Sequence, residues 1–351
     1  MSNNGLVNTP PAGFKASLRS RIIVAAILVA IFIPAFALGG WVCFFVFMAF
    51  LSLALIEVLL APHKRYGWWI WVFTFVVTFC YVYWFILKGN LIGYRKDPEN
   101  YSFSLENYFS TLDISVVGIA AALIGYFIIA IFDKNFDFSD VSYLFTMTIL
   151  LGLGFQTFYF VRYFPFFVYG FSSAYHDYSG LIISGVSGPS VIQQVGFKYW
   201  GSITMEVYVF IGVIANDVFA YFGGVYFGKH KMNPRISPKK TWEGFWFGAV
   251  ISFLLSSTWG LALAFTGWPM LPFLDRSNFY WILLISFILP LLSDLGDLSF
   301  SLIKRHYGIK DYGNILRGHG GVLDRFDSTI FAMIGVSIIL IFLLHEFDFL
   351  L

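Results

Sequence analysis

Four aspartates near the end of the chain form two pairs of equal spacing, Asp294 with Asp297 and Asp324 with Asp327. Asp294 and Asp297 lie in an apolar run read as helix, where residues three apart share a face, and Asp324 and Asp327 repeat the spacing just before the last apolar run. Carboxylates gathered like this repel one another unless a cation sits among them. An oxygen-only set without cysteine suits a hard ion such as Mg2+, which keeps waters and shares phosphate oxygens with a substrate. The second pair closes the most polar stretch of the chain, Ser301 to Asp327, SLIKRHYGIKDYGNILRGHGGVLDRFD. It holds five of the 22 Lys+Arg, three of the 20 acidic residues and two of the six His. Within it, Gly318-His319-Gly320-Gly321 permits the close backbone approach that phosphate sites need.

A fifth acid, Asp217, lies about halfway along an apolar run, where a buried carboxylate needs a partner or a cation. A helix–helix hydrogen bond would serve that need as well as an ion. After it comes a basic loop with Lys229, Lys231, Arg235, Lys239 and Lys240. Ser237-Pro238 reads as a turn or the first turn of a helix, with Thr241 or Ser237 as its cap. Lys239 and Lys240 would then add charge to the positive end of a helix dipole, where anions belong. A bound phosphate would relieve that conflict. Charge placed only for membrane topology explains the lysines but not their position.

The elements that must position these residues are membrane helices. The chain is 58% hydrophobic and 12% charged, against about 25% charged in ordinary domains, and its mean hydropathy is +0.76. Runs of ~20 apolar residues without alternation are long enough to cross a bilayer as helix. The expected fold is all-α and polytopic. About nine spans are placed at roughly 22–39, 41–60, 67–88, 113–132, 142–164, 204–228, 242–266, 279–303 and 329–347. With a cytoplasmic N-terminus, 16 of the 22 Lys+Arg fall on the inner side, as the positive-inside bias requires. The loops at 229–241 and 304–328 then share one face and can build one site. Residues 1–200 read as a transmembrane region of spans and a long outer loop, and 201–351 as the catalytic region.

Other features are plainer. Cys43 and Cys80 sit in apolar runs and read as buried thiols, without a disulfide framework or a zinc site. The basic N-terminal flank is followed by no small-residue cleavage site, so the first apolar run reads as an anchor. Glu57 precedes a polar turn and is expected to snorkel to the interface. Aromatic residues, 21% of the chain, suit lipid-facing and interfacial packing. Nothing points to nucleic acid as a partner.

Taken alone, these residues indicate Mg2+-dependent phosphoryl or nucleotidyl chemistry on a phosphate-bearing substrate resident in the membrane. The pattern S-x-x-K-R-x4-K-D-x-G-x2-L-x2-H-G-G-x2-D-R-x-D, from Ser301 to Asp327, resembles the signature of phosphatidate cytidylyltransferases, the CDP-diacylglycerol synthases. The run Ser293–Leu298, the Asp217-x2-Ala220-Tyr221 element and Ser237–Gly244 resemble that family too, so the likeness covers about 212–328. It implies transfer of cytidylate from CTP to phosphatidate at the cytoplasmic face of a bacterial inner membrane, in a protein that forms a homodimer. It also implies Asp297 and Asp324 as leading ligands of Mg2+ or of a pair of cations, supported by Asp217, Asp294 and Asp327. Lys304, Arg305, Lys310, Arg325, Lys239 and Lys240 would hold phosphates beside Ser237, Thr241, Gly320 and Gly321. His319 would donate to phosphate or form the turn rather than act as a base, and Asp311 would pair with a neighbouring cation.

Two departures stand out. Arg317 replaces the proline that many members carry before the glycine-histidine turn, and Phe300 replaces a glutamate common in bacterial members. One rival reading is an ion-coupled transporter using Asp217, Asp294 and Asp297. It leaves the glycine-histidine loop and the one-sided basic cluster unexplained. Another is a related lipid or polyprenol kinase or nucleotidyltransferase built from the same parts.

Overall fold

The computed structural model describes residues 26–27, 30–38, 40–96, 116–171, 191–271, 274–313 and 320–343. After a helical stretch over 30–38 come α1 (Gly40–Leu60), α2 (Trp68–Lys96), α3 (Val116–Phe132), α4 (Phe138–Phe171) and α5 (Val191–Tyr226). A hairpin of β1 (Lys231–Asn233) and β2 (Ser237–Thr241) follows, then α6 (Trp242–Phe265), α7 (Phe279–His306) and α8 (Leu323–Leu343). The fold is therefore all-α apart from the hairpin. Helix occupies each of the nine expected stretches in whole or part. Among the described residues, six helices are long and apolar enough to cross a membrane: those over 41–60, 138–162, 203–226, 242–265, 279–306 and 323–343. The apolar parts of α2 and α3, Trp68–Tyr83 and Gly118–Phe132, are shorter.

Two boundaries differ from the sequence expectation. Helix α8 begins at Leu323 rather than near 329, so Asp324 and Asp327 lie in its opening turns and not in a loop. Its apolar pattern starts with Val322 and Leu323, and the aspartates interrupt that pattern without interrupting the helix. Ser237-Pro238 opens a strand instead of a helix, with Lys231 opposite Thr241 and Asn233 opposite Ser237. Pairing across the hairpin overrides the weak strand propensity of Ser-Pro-Lys-Lys.

A single buried core runs from Cys43 in α1 to Ile341 in α8, so both halves of the chain contribute to it. Helix α6 turns a row of small residues inward, Gly244, Gly248, Ala249, Ser252, Ser256, Gly260 and Ala264. Such a face lets membrane helices approach closely, and Ser252 donates to the Gly212 carbonyl of α5 at 2.7 Å. Helices α7 and α8 meet as closely at Gly296, where a Cβ would come within 2.5 Å of the Asp327 carbonyl oxygen. That crossing point lies between the two aspartate pairs and brings them face to face.

The turns at one end of the bundle are cross-linked. Lys64 bridges to Asp137 and Asp140 at 3.0 and 2.7 Å, Tyr143 stacks edge-on against Tyr307, and Arg305 donates to the Ile236 carbonyl of the hairpin at 3.1 Å. The described residues of 61–66, 133–141, 229–241 and 304–328 thus share one end of the molecule.

Candidate active site

The acids of α7 sit three residues apart on one helix face and share one lysine. Lys240 of β2 reaches Asp294 at 2.6 Å and Asp297 at 2.8 Å. Asp294 also accepts from the Asn216 amide of α5 at 2.9 Å, and Ser301 donates to Asp297 at 3.3 Å. Burial alone would pull the Lys240 ammonium down. The charges of Asp297 and Asp294 and its hydrogen bonds to both reverse this and hold it above the ordinary lysine range.

The acids of α8 repeat the arrangement. Lys304, in the last turn of α7, binds Asp324 at 2.7 Å and lies 3.7 Å from Asp327. The second oxygen of Asp324 accepts the backbone N–H groups of Gly321 (2.8 Å) and Tyr312 (2.9 Å). Ser328 N–H donates to Asp327 at 2.8 Å, and the Ser328 hydroxyl touches Asp217 at 3.5 Å. The charges acting on Asp217 are those of Asp327, Asp297, Lys240 and Asp294. The structure therefore gathers Asp217, Asp294, Asp297, Asp324, Asp327, Lys240 and Lys304 where α5, α7, α8 and the hairpin meet.

The remaining candidates are placed differently. Thr241 caps α6 and accepts from Gly244 N–H at 3.2 Å. Arg305 spends its guanidinium on the carbonyls of Ile236 and Ile309, tying the hairpin to the end of α7. Ser237 is half-buried, while Lys239, Lys310 and Arg325 are exposed. Gly320 takes φ +81°, the left-handed region that favours glycine, and Gly320 and Gly321 are both buried. Asp311 is exposed and belongs to none of the ion pairs among the described residues. His319 and Arg317 lie outside the described residues. Phe300 is wholly buried against Tyr312 and Phe331, a setting that suits its ring and not a carboxylate.

Three expectations change. Cys43 is buried as expected, but Cys80 is exposed on the outer face of its helix. The conflict between Lys240 and the α6 dipole is met by the α7 carboxylates, while Glu243 in the first turn of α6 accepts from the Lys229 and His230 backbone. Glu57 does not snorkel. It is buried, and its two oxygens accept the N–H groups of Val322 and Leu323 at 2.8 Å each. Sequence reasoning missed this contact, and also the amide of Asn216. A signal existed: Val322 precedes α8 where a Ser, Thr, Asp or Asn cap is usual, so the cap had to come from elsewhere.

Among the described residues no group of three or more acidic, histidine or cysteine side chains is drawn together tightly enough to hold a metal as it stands. The donor set nevertheless fits one. Five carboxylates face two ammonium groups within this cluster, and the buried Asn216 side-chain oxygen beside Asp294 has no hydrogen-bond partner. Hard oxygen donors in excess of positive charge are what a divalent cation requires. A model of the cytidylyltransferase family matches residues 19–343, nearly the whole chain and all of this site. The chain belongs to the cytidylyltransferase family. Among relatives of this family member, a phosphatidate cytidylyltransferase of Bacillus subtilis is 32% identical over 236 residues, covering 67% of this chain and 70% of that protein. Proteins of the same name from Staphylococcus haemolyticus and Staphylococcus aureus are 40% and 42% identical over 153 residues. Those matches cover 42% of this chain and 55% of the Staphylococcus proteins, so the chain spans about half the length of these relatives.

Proposed function

We propose that the chain is a phosphatidate cytidylyltransferase, transferring cytidylate from CTP to phosphatidate and releasing pyrophosphate. The observation that carries this reading is the meeting of the two aspartate pairs across Gly296, each holding a lysine, inside a bundle of the cytidylyltransferase family. A phosphatidate oxygen attacks the α-phosphorus of CTP as the bond to the β-phosphate oxygen breaks, and pyrophosphate takes the electron pair. The attacking oxygen is already anionic, so no general base is needed. The obstacle is repulsion between two polyanions, and phosphoryl transfer is speeded mainly by alignment and charge neutralisation.

Asp297 and Asp324, supported by Asp217, Asp294 and Asp327, would hold Mg2+. Bound there, it would offset phosphate charge and orient the α-phosphate. Lys240, released from its carboxylates, is placed to hold a phosphate, and exposed Lys239, Lys310 and Arg325 ring the same end of the bundle. A lipid phosphate reaches such a site from the bilayer and a nucleotide from water. Both needs suit acids gathered where three helices and the hairpin meet. The Lys+Arg bias, with 16 of 22 on the side of these loops, supports a site facing the cytoplasm from a bacterial inner membrane with the N-terminus on that face.

The test is purified protein in mixed micelles with phosphatidate, labelled CTP and Mg2+. Label is expected in lipid and in no product when ATP replaces CTP. Absence of lipid-linked cytidylate would sink the reading, and free use of ATP would turn it into a kinase.

A further inference from the structure

We propose that Glu57, in the first long helix and far from the acid cluster in sequence, is a positioning residue for the reaction. It acts by clamping the start of α8 and so fixing Asp324 and Asp327. This rests on the cytidylyltransferase reading of the site.

The first N–H groups of a helix have no partner within it, and a buried helix start must find acceptors elsewhere. At the start of α8 the local sequence supplies only Gly320, Gly321 and Val322, none with a side-chain acceptor. Glu57 fills the gap across 265 residues of chain, one oxygen on Val322 N–H and the other on Leu323 N–H, both at 2.8 Å. Glu57 is 2% exposed, and its carboxylate lies at the positive end of the α8 dipole, where a negative charge is favoured. The fit around it is tight, because a Cβ on Gly321 or Gly313 would run into its carboxyl group.

The consequence reaches the site directly. Gly321, whose neighbour Glu57 holds, donates to Asp324, and Asp324 in turn holds Lys304. Without the clamp, the loop that meets Asp324 from one side is free to shift, and α8 can turn Asp327 away from Asp297. Glu57 touches no reacting atom in this arrangement. It sets where the touching residues stand.

The test compares wild type with Glu57→Ala, Glu57→Gln and Glu57→Asp in three measurements. These are turnover in phosphatidate micelles, melting temperature in detergent, and hydrogen–deuterium exchange of the peptide spanning 320–326. Glu57→Ala should lower kcat by ~10²-fold, the scale of an ångström-sized misplacement of reacting groups. Its KM for CTP should stay within about threefold, since the residue acts on placement rather than on binding. Glu57→Gln should keep part of the activity, because its amide oxygen still accepts one N–H but carries no charge, and Glu57→Asp should fall between Glu57→Gln and wild type. In Glu57→Ala, exchange should rise in 320–326 while the other helices stay protected. Unchanged kcat and unchanged exchange in Glu57→Ala would overturn the proposal. So would a loss of activity that follows unfolding, with every peptide exchanging together. A wild type that makes no lipid-linked cytidylate would count against the proposed reaction instead, and the exchange of 320–326 would still decide whether Glu57 holds α8.

Discussion

Lys240 and Lys304 are held alike, each between two aspartates three residues apart, yet their surroundings differ. The Lys304 unit is closed: side-chain exposure is 8% for the lysine, 5% for Asp324 and 10% for Asp327. Backbone N–H groups of Gly321 and Tyr312 occupy the second oxygen of Asp324. The Lys240 unit is open, with the lysine 21% and Asp297 29% exposed, and its lysine arrives on a two-stranded hairpin. The difference separates framework from working surface. A buried ion pair that also satisfies backbone donors resists exchange, while a partly exposed pair whose lysine sits on a hairpin can trade partners with an incoming phosphate.

If that division holds, the largest effect on turnover comes from the open unit. Asp297→Asn should cut kcat by on the order of 10²–10³-fold, as removal of one preorganised electrostatic group does. The melting temperature should move little, because Lys240 keeps Asp294. Asp324→Asn should lose activity and melting temperature together, and equal melting temperatures for the two variants would erase the distinction. Next is Lys304→Met, which leaves Asp324 and Asp327 buried without their counter-charge. Breaking a buried pair this way costs about 3–5 kcal/mol, read as a lowered melting temperature in detergent. Lys240→Met should spare the melting temperature and raise the KM for CTP about tenfold, a loss of ~1.4 kcal/mol. A thermal loss as large as that of Lys304→Met would place both lysines in the framework.

Much of this was legible in the sequence because it is local. The pair Asp294/Asp297 fixes its own geometry by helical spacing, Asp324/Asp327 repeats that spacing although the start of its helix was not readable, and the basic loops announce their shared side by charge. What stayed hidden depends on distant partners. Lys240 looked like an anion site at a helix start until the fold brought α7 carboxylates to it. The hairpin was unreadable because Ser-Pro-Lys-Lys has little strand character and pairs only through β1. Glu57 looked like a surface carboxylate near a polar turn, and only the return of the chain 265 residues later gives its oxygens their donors. Helix ends followed the same rule: an apolar pattern located α8, but its first turn was set by capping from α1.

A third lysine tests the comparison at its weak end. Lys64 is also held between aspartates three apart, Asp137 at 3.0 Å and Asp140 at 2.7 Å, but at the surface of the turns, with Lys64 and Asp137 exposed and Asp140 alone buried. The exposed pair with Asp137 contributes little, and because the buried Asp140 has other donors Lys64→Ala should cost on the order of 1 kcal/mol, well under the cost of Lys304→Met. Asp140 keeps the Tyr66 hydroxyl at 2.8 Å and the Asp137 N–H at 3.0 Å, so it is not left unpartnered. Contacts with Ser139 and then Lys64 hold the Asp137 carboxyl below the usual carboxylate range. For Lys64, slight burial opposes the charge, but the hydrogen bonds to Asp140 and Asp137 outweigh it and raise the ammonium. The sign of the linkage follows. Asp137 contributes above the ordinary carboxylate pKa of about 4 and loses its contribution as pH falls, while Lys64 contributes below about 10.4 and loses its share as pH rises through its raised value. Between pH 6 and 9 the melting difference between wild type and Lys64→Ala should therefore be small and flat. It should shrink further in 1 M salt, where the Debye length is about 3 Å, and kcat should not change. A Lys64→Ala protein that melts as early as Lys304→Met would show that the shape of the aspartate–lysine unit, and not its burial, sets its strength.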